Sequence, residues 1–372
     1  RFMRFIAKND AQAKRGNEQT VAQEAEEIRA CIESHYKALM RIFDFYCLIS
    51  GNFGRGAFSI QQNAYNKMCQ DCRIPDEKCT VETLSTIFVV VNFESDKTSL
   101  DSQINEDRAL MRSEFLETIM RIAVAKYIKA CDGDISDSVD KLLSENFMAH
   151  LPQEALIDPN EFRRERFYNE HVEECFVKHK DVLDLIYTKY SNLHPEGGKA
   201  LFRLEEWFAL LGDAGVIDDD FTTREVRISF YYARMLVRDE VKSRNRIISL
   251  TPIDFLEALG RACDMCTIPT DEDFALLRCE HALDYDTMLP YATIDVQDRL
   301  LQRRPSSELL VPSERPLAEK LDKFLRKLIG MLAIKFRGVL RYNDKFIPLV
   351  PRYATEQHLR RKGAGEDDTT AS

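Results

Sequence analysis

Apolar residues recur at helical spacing through most of this chain. One buried helix face is indicated by five residues at i, i+4, i+7, i+8 and i+11, namely Ile32, Tyr36, Leu39, Met40 and Phe43. Short apolar pieces such as "AFSI" and "LFRL" interrupt this spacing, and each continues directly into another helical pattern. Glycine and proline number only 14 and 12 among 372 residues, which disfavours a turn-rich β architecture. The pattern predicts an all-α fold.

The helical pattern occurs twice along the chain. The stretch "CIESHYKALMRIFDFYCLISGNFGRGAFS" from Cys31 aligns with "CFVKHKDVLDLIYTKYSNLHPEGGKALFR" from Cys175, at a constant offset of 144 residues. Further on, "SEFLETIMRIA" around Phe115 matches "IDFLEALGRAC" around Phe255 at an offset of 140 residues. A period longer than a hundred residues indicates duplicated domains and not a solenoid of short repeats.

Both copies have the same order of elements. A helix, a glycine-bearing loop, a short extended piece and a second helix come first, followed by a third helix, an irregular loop, another short apolar piece and a helix with "FLE". One more helical segment follows each copy, "ISDSVDKLL" with Ser136 as the expected N-cap and "IPTDEDFALL" with Thr270. This order resembles paired EF-hands. The resemblance implies two duplicated four-helix EF-hand-like lobes, each with a minimal β-ribbon between its loops.

Charge and composition divide the chain further. The net charge is −10, although both ends are basic, and serine and proline gather after the second lobe. We therefore expect six segments: a basic N-terminal extension (1–21), lobe 1 (22–160), lobe 2 (161–284), a linker (285–319), a basic amphipathic helix (320–345) and a C-terminal tail (346–372). No apolar run approaches the roughly 18 residues that span a bilayer, so we expect no transmembrane segment.

The first and third loops lack the residues that calcium requires. An EF-hand loop binds calcium through oxygen ligands at positions 1, 3, 5 and 12, with glycine at position 6. Taking Phe58 and Phe202 as position 8 places Arg55 and Lys199 at position 5. A cationic side chain at a ligand position excludes a divalent cation from both loops.

The second and fourth loops retain more of the oxygen ligands that calcium requires. Taking Leu110 as position 8 puts Asp107 and Glu114 at ligand positions, but Arg108 replaces the glycine. The fourth loop offers Asp254 at position 12 and also lacks the glycine. We expect a retained scaffold whose loops do not bind calcium, and calcium binding at the second loop stays an alternative.

Two "CxxC" pairs, Cys69/Cys72 and Cys263/Cys266, are candidate zinc ligands. They lie at non-equivalent places in the two copies, whereas a duplicated metal site should coincide. Buried cysteine is also a common small core residue. We therefore expect no metal and no cofactor.

A second cysteine pattern does coincide in the two copies. Cys31 with His35, and Cys175 with His179, have the i, i+4 spacing of a thiolate–imidazole pair on one helix face. No third orienting residue is visible nearby in sequence, and the flanking residues are typical of a helix interior. A packing role is favoured, and a thiol-dependent enzyme remains a further alternative.

The basic amphipathic helix is the candidate partner-binding element. Its cations are Lys323, Arg326, Lys327, Lys335, Arg337 and Arg341. Basic amphipathic helices bind anionic membranes, calmodulin-like grooves or acidic protein lattices. The alternative is that the apolar stripe of this helix packs back on lobe 2.

Tandem lobes of this kind, with loops that do not bind calcium and with basic extensions, are similar to structural proteins of cilia and flagella. The resemblance implies a cytoplasmic, cytoskeletal protein of the axoneme, bound to tubulin in doublet microtubules and to neighbouring axonemal proteins. Tubulin is acidic, which suits basic arms. Nucleic acid is not an expected partner, because the body of the chain is acidic and interleaved exposed aromatics are lacking. No enzyme motif is present.

Overall fold

The structure is a computed structural model. It describes residues 2–9, 18–51, 58–93, 109–193, 200–235, 237, 239, 242–279, 285, 288–302, 314–336, 339–342 and 345–348. Most of the predicted tail, both glycine-bearing loops and Arg337 lie outside the described residues. Helices dominate the described chain, and its strands are two or four residues long. The all-α prediction is confirmed.

The chain divides into two compact units. Unit 1 comprises Arg1–Asp158 and Asp239–Arg244, and unit 2 comprises Pro159–Arg238 and Asn245–Ser372. No helix in the described part of either unit combines the length and the apolar character that a bilayer crossing requires.

Unit 1 is built on one long helix. Its elements are α1 (Phe2–Asn9), α2 (Glu18–Ile49), β1 (Ile60–Gln61), α3 (Gln62–Asp71), α4 (Val81–Asn92), β2 (Ala109–Leu110), α5 (Arg112–Tyr127) and α6 (Ile135–Leu142). The Asp134 side chain accepts a hydrogen bond from the Asp137 N–H and caps α6. The expectation that Ser136 is this N-cap is wrong, because Ser136 lies inside the helix.

Unit 2 repeats this order and then extends it. Its elements are α7 (Pro159–Phe162), α8 (Glu170–Lys178), α9 (Lys180–Ser191), β3 (Phe202–Arg203), α10 (Leu204–Asp213), α11 (Thr223–Ala233), α12 (Arg244–Ile248), β4 (Ser249–Leu250), α13 (Pro252–Met265), α14 (Asp271–Leu277), α15 (Ile294–Gln302), α16 (Leu317–Lys335), β5 (Val339–Tyr342) and β6 (Lys345–Pro348). Thr270 caps α14 by accepting a hydrogen bond from Asp273 N–H at 3.2 Å, as expected.

The short apolar pieces pair as antiparallel ribbons, one in each unit. Leu110 pairs with Ile60, and Leu250 pairs with Phe202. The predicted pairing is confirmed, but the choice of Phe58 as position 8 of the first loop is wrong, because Ile60 occupies the place of Phe202. The first loop is therefore two residues longer than the third. Counted from Ile60, its ligand positions are still phenylalanine, arginine and alanine, so the loop remains unsuited to calcium.

The same side-chain contacts fix the loop in both units. The Tyr46 hydroxyl donates to Asp71 Oδ2 at 2.9 Å, and the Tyr190 hydroxyl donates to Asp213 Oδ2 at 2.7 Å. Each bond ties the end of the first long helix to the end of the helix that follows the ribbon. Trp207 lies fully buried beside this region in unit 2 and donates its indole N–H to the Val226 carbonyl at 3.1 Å.

A short helix precedes the long helix in each unit. The Arg121 guanidinium lies 4.7 Å from the Phe5 ring centre, and the Arg261 guanidinium lies 4.4 Å from the Phe162 ring centre. Both arginines stand four residues after the glutamate of the repeated "FLE". Residues 2–9 therefore pack within unit 1 as α1, which corrects the expectation that 1–21 is only a basic extension.

The closing helix of unit 2 is α16 and not α14. Within unit 1, α6 packs on α2 and α5, and within unit 2, α16 packs on α8 and α13. Their sequences, "ISDSVDKLL" and "LAEKLDKFL", align at an offset of 182 residues with Asp140 on Asp322 and Lys141 on Lys323. The pairing of "ISDSVDKLL" with "IPTDEDFALL" is thus wrong. Instead, α14 packs in a small separate cluster with Tyr285 and Leu300.

The C-terminal boundaries also differ from expectation. Residues 285–319 are not only a linker, because they contain α15 and the first turn of α16. The predicted helix at 320–345 ends at Lys335, where the backbone N–H of Phe336 donates to the Leu332 carbonyl at 2.9 Å. A hairpin of β5 and β6 follows, in which Leu340 pairs with Ile347.

We expect Glu257→Gln to destabilise unit 2 strongly. Glu257 is 3% exposed and accepts 2.8 Å hydrogen bonds from Arg163 and Arg261. Without its charge, two buried guanidinium groups lose their counterion, which costs about 3–5 kcal/mol. The measurement is urea unfolding followed by far-ultraviolet circular dichroism, which reports the helices of both units.

The equivalent change in unit 1, Glu117→Gln, is the matched control. Glu117 pairs with Arg121 at 2.7 Å, but its side chain is 22% exposed, so we expect a loss of about 1 kcal/mol or less. Equal losses of stability in the two variants would contradict the assignment of a buried ion cluster to unit 2.

Candidate functional site: closed loops and an apolar groove

The fourth loop is closed by its own arginine. Arg246 donates to Asp254 Oδ2 at 2.6 Å, and the same oxygen accepts from the Thr251 N–H at 2.9 Å and the Thr251 hydroxyl at 2.7 Å. Asp254, at the twelfth loop position, is 3% exposed. Ile247, at the fifth position, is buried as well and offers no oxygen from its side chain. The Arg246 guanidinium group therefore supplies to Asp254 the positive charge that a calcium ion would supply in a binding loop.

The third loop ends in a carboxylate that is also satisfied internally. Glu206 is 1% exposed and accepts the Arg203 N–H at 2.9 Å, and Arg203 Nε lies 3.6 Å from the same oxygen. Glu206, in the first turn of α10, thus caps the N-terminus of this helix. A bidentate metal contact would require breaking this cap.

The second loop is described only at its end. Glu114 Oε2 accepts the Met111 N–H at 2.9 Å, which is the same capping contact as that of Glu206. Asp107 and Arg108 lie outside the described residues. In the described part, Glu114 acts as a helix-capping residue.

The predicted partner-binding cations are largely engaged within unit 2. Lys323 pairs with Asp271 at 2.6 Å, Arg326 pairs with Asp322 at 2.7 Å, and Lys335 pairs with Asp213. The apolar stripe of α16 is buried, including Leu321, Phe324, Leu325, Leu328 and Leu332. This packing favours the alternative that the helix lies back on lobe 2.

The other three predicted cations, Lys327, Arg337 and Arg341, give little evidence for or against partner binding. Lys327 lies on α16, where it lines a small cavity together with Asp218, and it also interacts with another group of the protein. Arg337 lies outside the described residues, and Arg341 lies in β5, where side chains are not described. The structure therefore does not bring the six cations together as one exposed basic surface among the described residues.

Both cysteine–histidine pairs have an aspartate from the closing helix beside them. Cys31, His35 and Asp140 place their ligand atoms within 4.8 Å of one another in unit 1. In unit 2, His179 Nε2 lies 3.2 Å from Asp322 Oδ1, and Cys175 donates to the Ala318 carbonyl at 3.6 Å. Sequence reasoning missed both aspartates because they lie more than a hundred residues from the cysteines.

Thiolate chemistry is disfavoured at both pairs. Burial and then the Asp140 carboxylate raise the pKa of the Cys31 thiol to about 11. Burial and then Asp322 likewise raise the pKa of Cys175. A catalytic cysteine needs the opposite shift, so the geometry gives no support to the thiol-dependent enzyme.

The "CxxC" cysteines are core residues. Cys69, Cys72, Cys263 and Cys266 are buried, and burial raises the pKa of Cys69 and of Cys266 to about 12. Within the described ranges, none of the four belongs to a group of three potential metal ligands. No disulfide joins any of the ten cysteines.

Unit 2 carries an apolar groove of about 840 Å³ between the start of α8 and the start of α13. Three of its lining side chains are largely exposed: Tyr168 at 62%, Val177 at 63% and Ile253 at 72%. Glu170, Glu173 and Asp184 also line it, against one cation, Lys180. The groove combines an apolar floor with a negative rim, which suits an apolar segment flanked by basic residues.

The chain is thus a mostly helical protein of two units, with an apolar groove in unit 2. Searches found no protein family, no curated protein and no solved structure that this chain matches.

We expect the ion pairs of Asp322 to stabilise unit 2 in a pH-dependent way. Partial burial alone would raise the pKa of Asp322, but hydrogen bonds from Arg326, Lys178 and His179 lower it to about 2. Because an unfolded aspartate has a pKa near 3.9, this stabilisation is complete above about pH 4 and disappears as the pH falls toward 2.

Asp322→Asn should therefore lower the free energy of unfolding at pH 7, measured with urea, by at most about 1 kcal/mol because the pairs are partly exposed. The difference from the wild type should shrink below pH 4. Asp140→Asn in unit 1 is the matched control and should show no such loss. A constant difference between pH 7 and pH 3 would contradict the ion-pair assignment.

Proposed function

We propose that this chain is a non-enzymatic structural protein of the ciliary or flagellar axoneme, made of two EF-hand-like lobes that act independently of calcium. The lobe assignment is supported by the order of elements in each unit, where a short antiparallel ribbon joins two helix–strand–helix segments. Its placement in the axoneme rests on the likeness of architecture to structural proteins of cilia and flagella.

Independence from calcium rests on one observation above all, the contact of Arg246 with Asp254. A calcium loop needs its twelfth residue to approach the ion with both carboxylate oxygens. Here one of those oxygens already accepts three hydrogen bonds, including a charge-assisted bond at 2.6 Å. A calcium ion would have to displace a bound guanidinium group from a nearly buried site.

The groove of unit 2 is the surface that best fits a protein partner. Its negative rim disfavours the acidic surface of tubulin and favours a neighbouring axonemal protein that presents an apolar segment with basic flanks. The proposal therefore assigns the groove to a protein neighbour. It does not rely on α16 as a free basic arm, since Lys323, Arg326 and Lys335 are paired within unit 2.

Calcium titration of the purified chain by calorimetry should give no binding heat. Glu114→Gln, which alters the last ligand position of the second loop, should leave that result unchanged. A binding isotherm in the wild-type chain that disappears in Glu114→Gln would favour the calcium-responsive adaptor instead.

Fractionation of native cells tests the structural role and the groove together. The wild-type chain should stay in the cytoskeletal fraction after detergent and rising salt, whether calcium or a chelator is present. Ile253→Asp places a negative charge on an exposed apolar residue that lines the groove, and should release the chain at lower salt. Release of the wild-type chain by detergent alone would reject the axonemal proposal.

The matched control for the groove is Val89→Asp in unit 1. Val89 is exposed to a similar degree, 62% against 72% for Ile253, but it lies outside the groove. We expect this variant to be retained like the wild type. Equal release of both variants would show that the loss of binding does not come from the groove.

A further inference from the structure

We propose that Cys31, His35 and Asp140 form a zinc-binding site in unit 1. Cys31 and His35 lie one turn apart on α2, and Asp140 comes from α6, which packs on the same helix. The three ligand atoms already lie within 4.8 Å of one another. Zinc bonds of about 2.0–2.3 Å hold tetrahedral ligand atoms roughly 3.3–3.8 Å apart, so small side-chain rotations complete the site.

The hydrogen bonds of His35 prepare it to bind a metal. His35 Nδ1 lies 3.1 Å from the Cys31 carbonyl and 2.9 Å from Ser34 Oγ, while the Ser34 hydroxyl itself donates to the Cys31 carbonyl at 2.7 Å. Both contacts require Nδ1 to be the donor, because a carbonyl only accepts and the serine hydrogen is already used. Nε2 then carries the lone pair, as in many metal-binding histidines.

The local charge favours a cation. Asp134 is the main cause of a raised pKa at Asp137, and burial, Asp140 and Glu27 add to it, so carboxylates cluster around this part of α6. Within the described residues, no lysine or arginine forms an ion pair with Asp140. A zinc ion would stabilise the Cys31 thiolate and release one proton from the thiol as the zinc–sulfur bond forms. Water would complete the coordination.

The second copy of this triad shows what prevents metal binding. Cys175, His179 and Asp322 occupy the equivalent positions, but Asp322 is held by Lys178 at 3.0 Å and by Arg326 at 2.7 Å. At the positions of these two cations, unit 1 has serines, Ser34 and Ser144. The duplicated triad has therefore been left open in one unit and closed by two internal cations in the other.

The test is zinc binding by the full-length chain under reducing conditions, measured by competition with a chromogenic chelator. The wild type should bind one zinc ion per chain. Cys31→Ala and His35→Ala should each weaken binding by at least about tenfold, while Cys175→Ala should bind as the wild type does. Substitution with cobalt should give a thiolate-to-cobalt charge-transfer band that is lost in Cys31→Ala.

A variant that keeps all three ligands separates metal binding from folding. Ser144→Arg puts a cation four residues after Asp140, as Arg326 stands four residues after Asp322, and Ser144 is exposed. It should abolish zinc binding without lowering the urea midpoint of the metal-free chain. Absence of zinc binding in the wild type, or unchanged binding in Cys31→Ala, would overturn the proposal. Calcium indifference of the lobes and cytoskeletal retention are independent of this result.

Discussion

A buried carboxylate at the start of a helix needs donors, and in this chain the donors come from the chain itself. Asp254 and Glu206 are both nearly buried, and each accepts backbone N–H groups that would otherwise be unpaired at the start of a helix. In the fourth loop an arginine completes the charge balance. The carboxylates that end the third and fourth loops are therefore satisfied by groups of the chain itself.

The same principle distinguishes the two units. Unit 2 adds a buried cluster in which Glu257 is shared by Arg163 and Arg261, and Arg163 also donates to the Tyr232 carbonyl at the end of α11. In unit 1 the equivalent glutamate, Glu117, is partly exposed and pairs with Arg121. The short apolar strands thus pair in the same antiparallel way in both units, while the charged groups around them differ. Charged groups tolerate such change because several arrangements can neutralise one carboxylate.

The sequence predicted those parts of the fold that depend on local pattern. Helical periodicity identified the all-α class, and the apolar pieces predicted pairs such as Phe202 with Leu250. Two extra residues in the first loop placed position 8 at Phe58 and not at Ile60, two residues too early, because periodicity carries no information on loop length. The closing helix was misassigned because α14 and α15 separate α16 from α13, and proximity along the chain favoured the nearer segment.

The candidate sites depend on contacts that no local pattern carries. Arg246 is eight residues from Asp254, yet only the short helix α12 brings the guanidinium group to that carboxylate. Asp140 and Asp322 reach the cysteine–histidine pairs because the closing helix packs against α2 in unit 1 and against α8 in unit 2. Only with that helix in place can Ser34 and Ser144 of unit 1 be matched with Lys178 and Arg326, the cations that hold Asp322 in unit 2. The two cysteine–histidine pairs are then better understood as two copies of one proposed ligand set. In unit 1 its aspartate is available to a metal, and in unit 2 its aspartate is held by ion pairs.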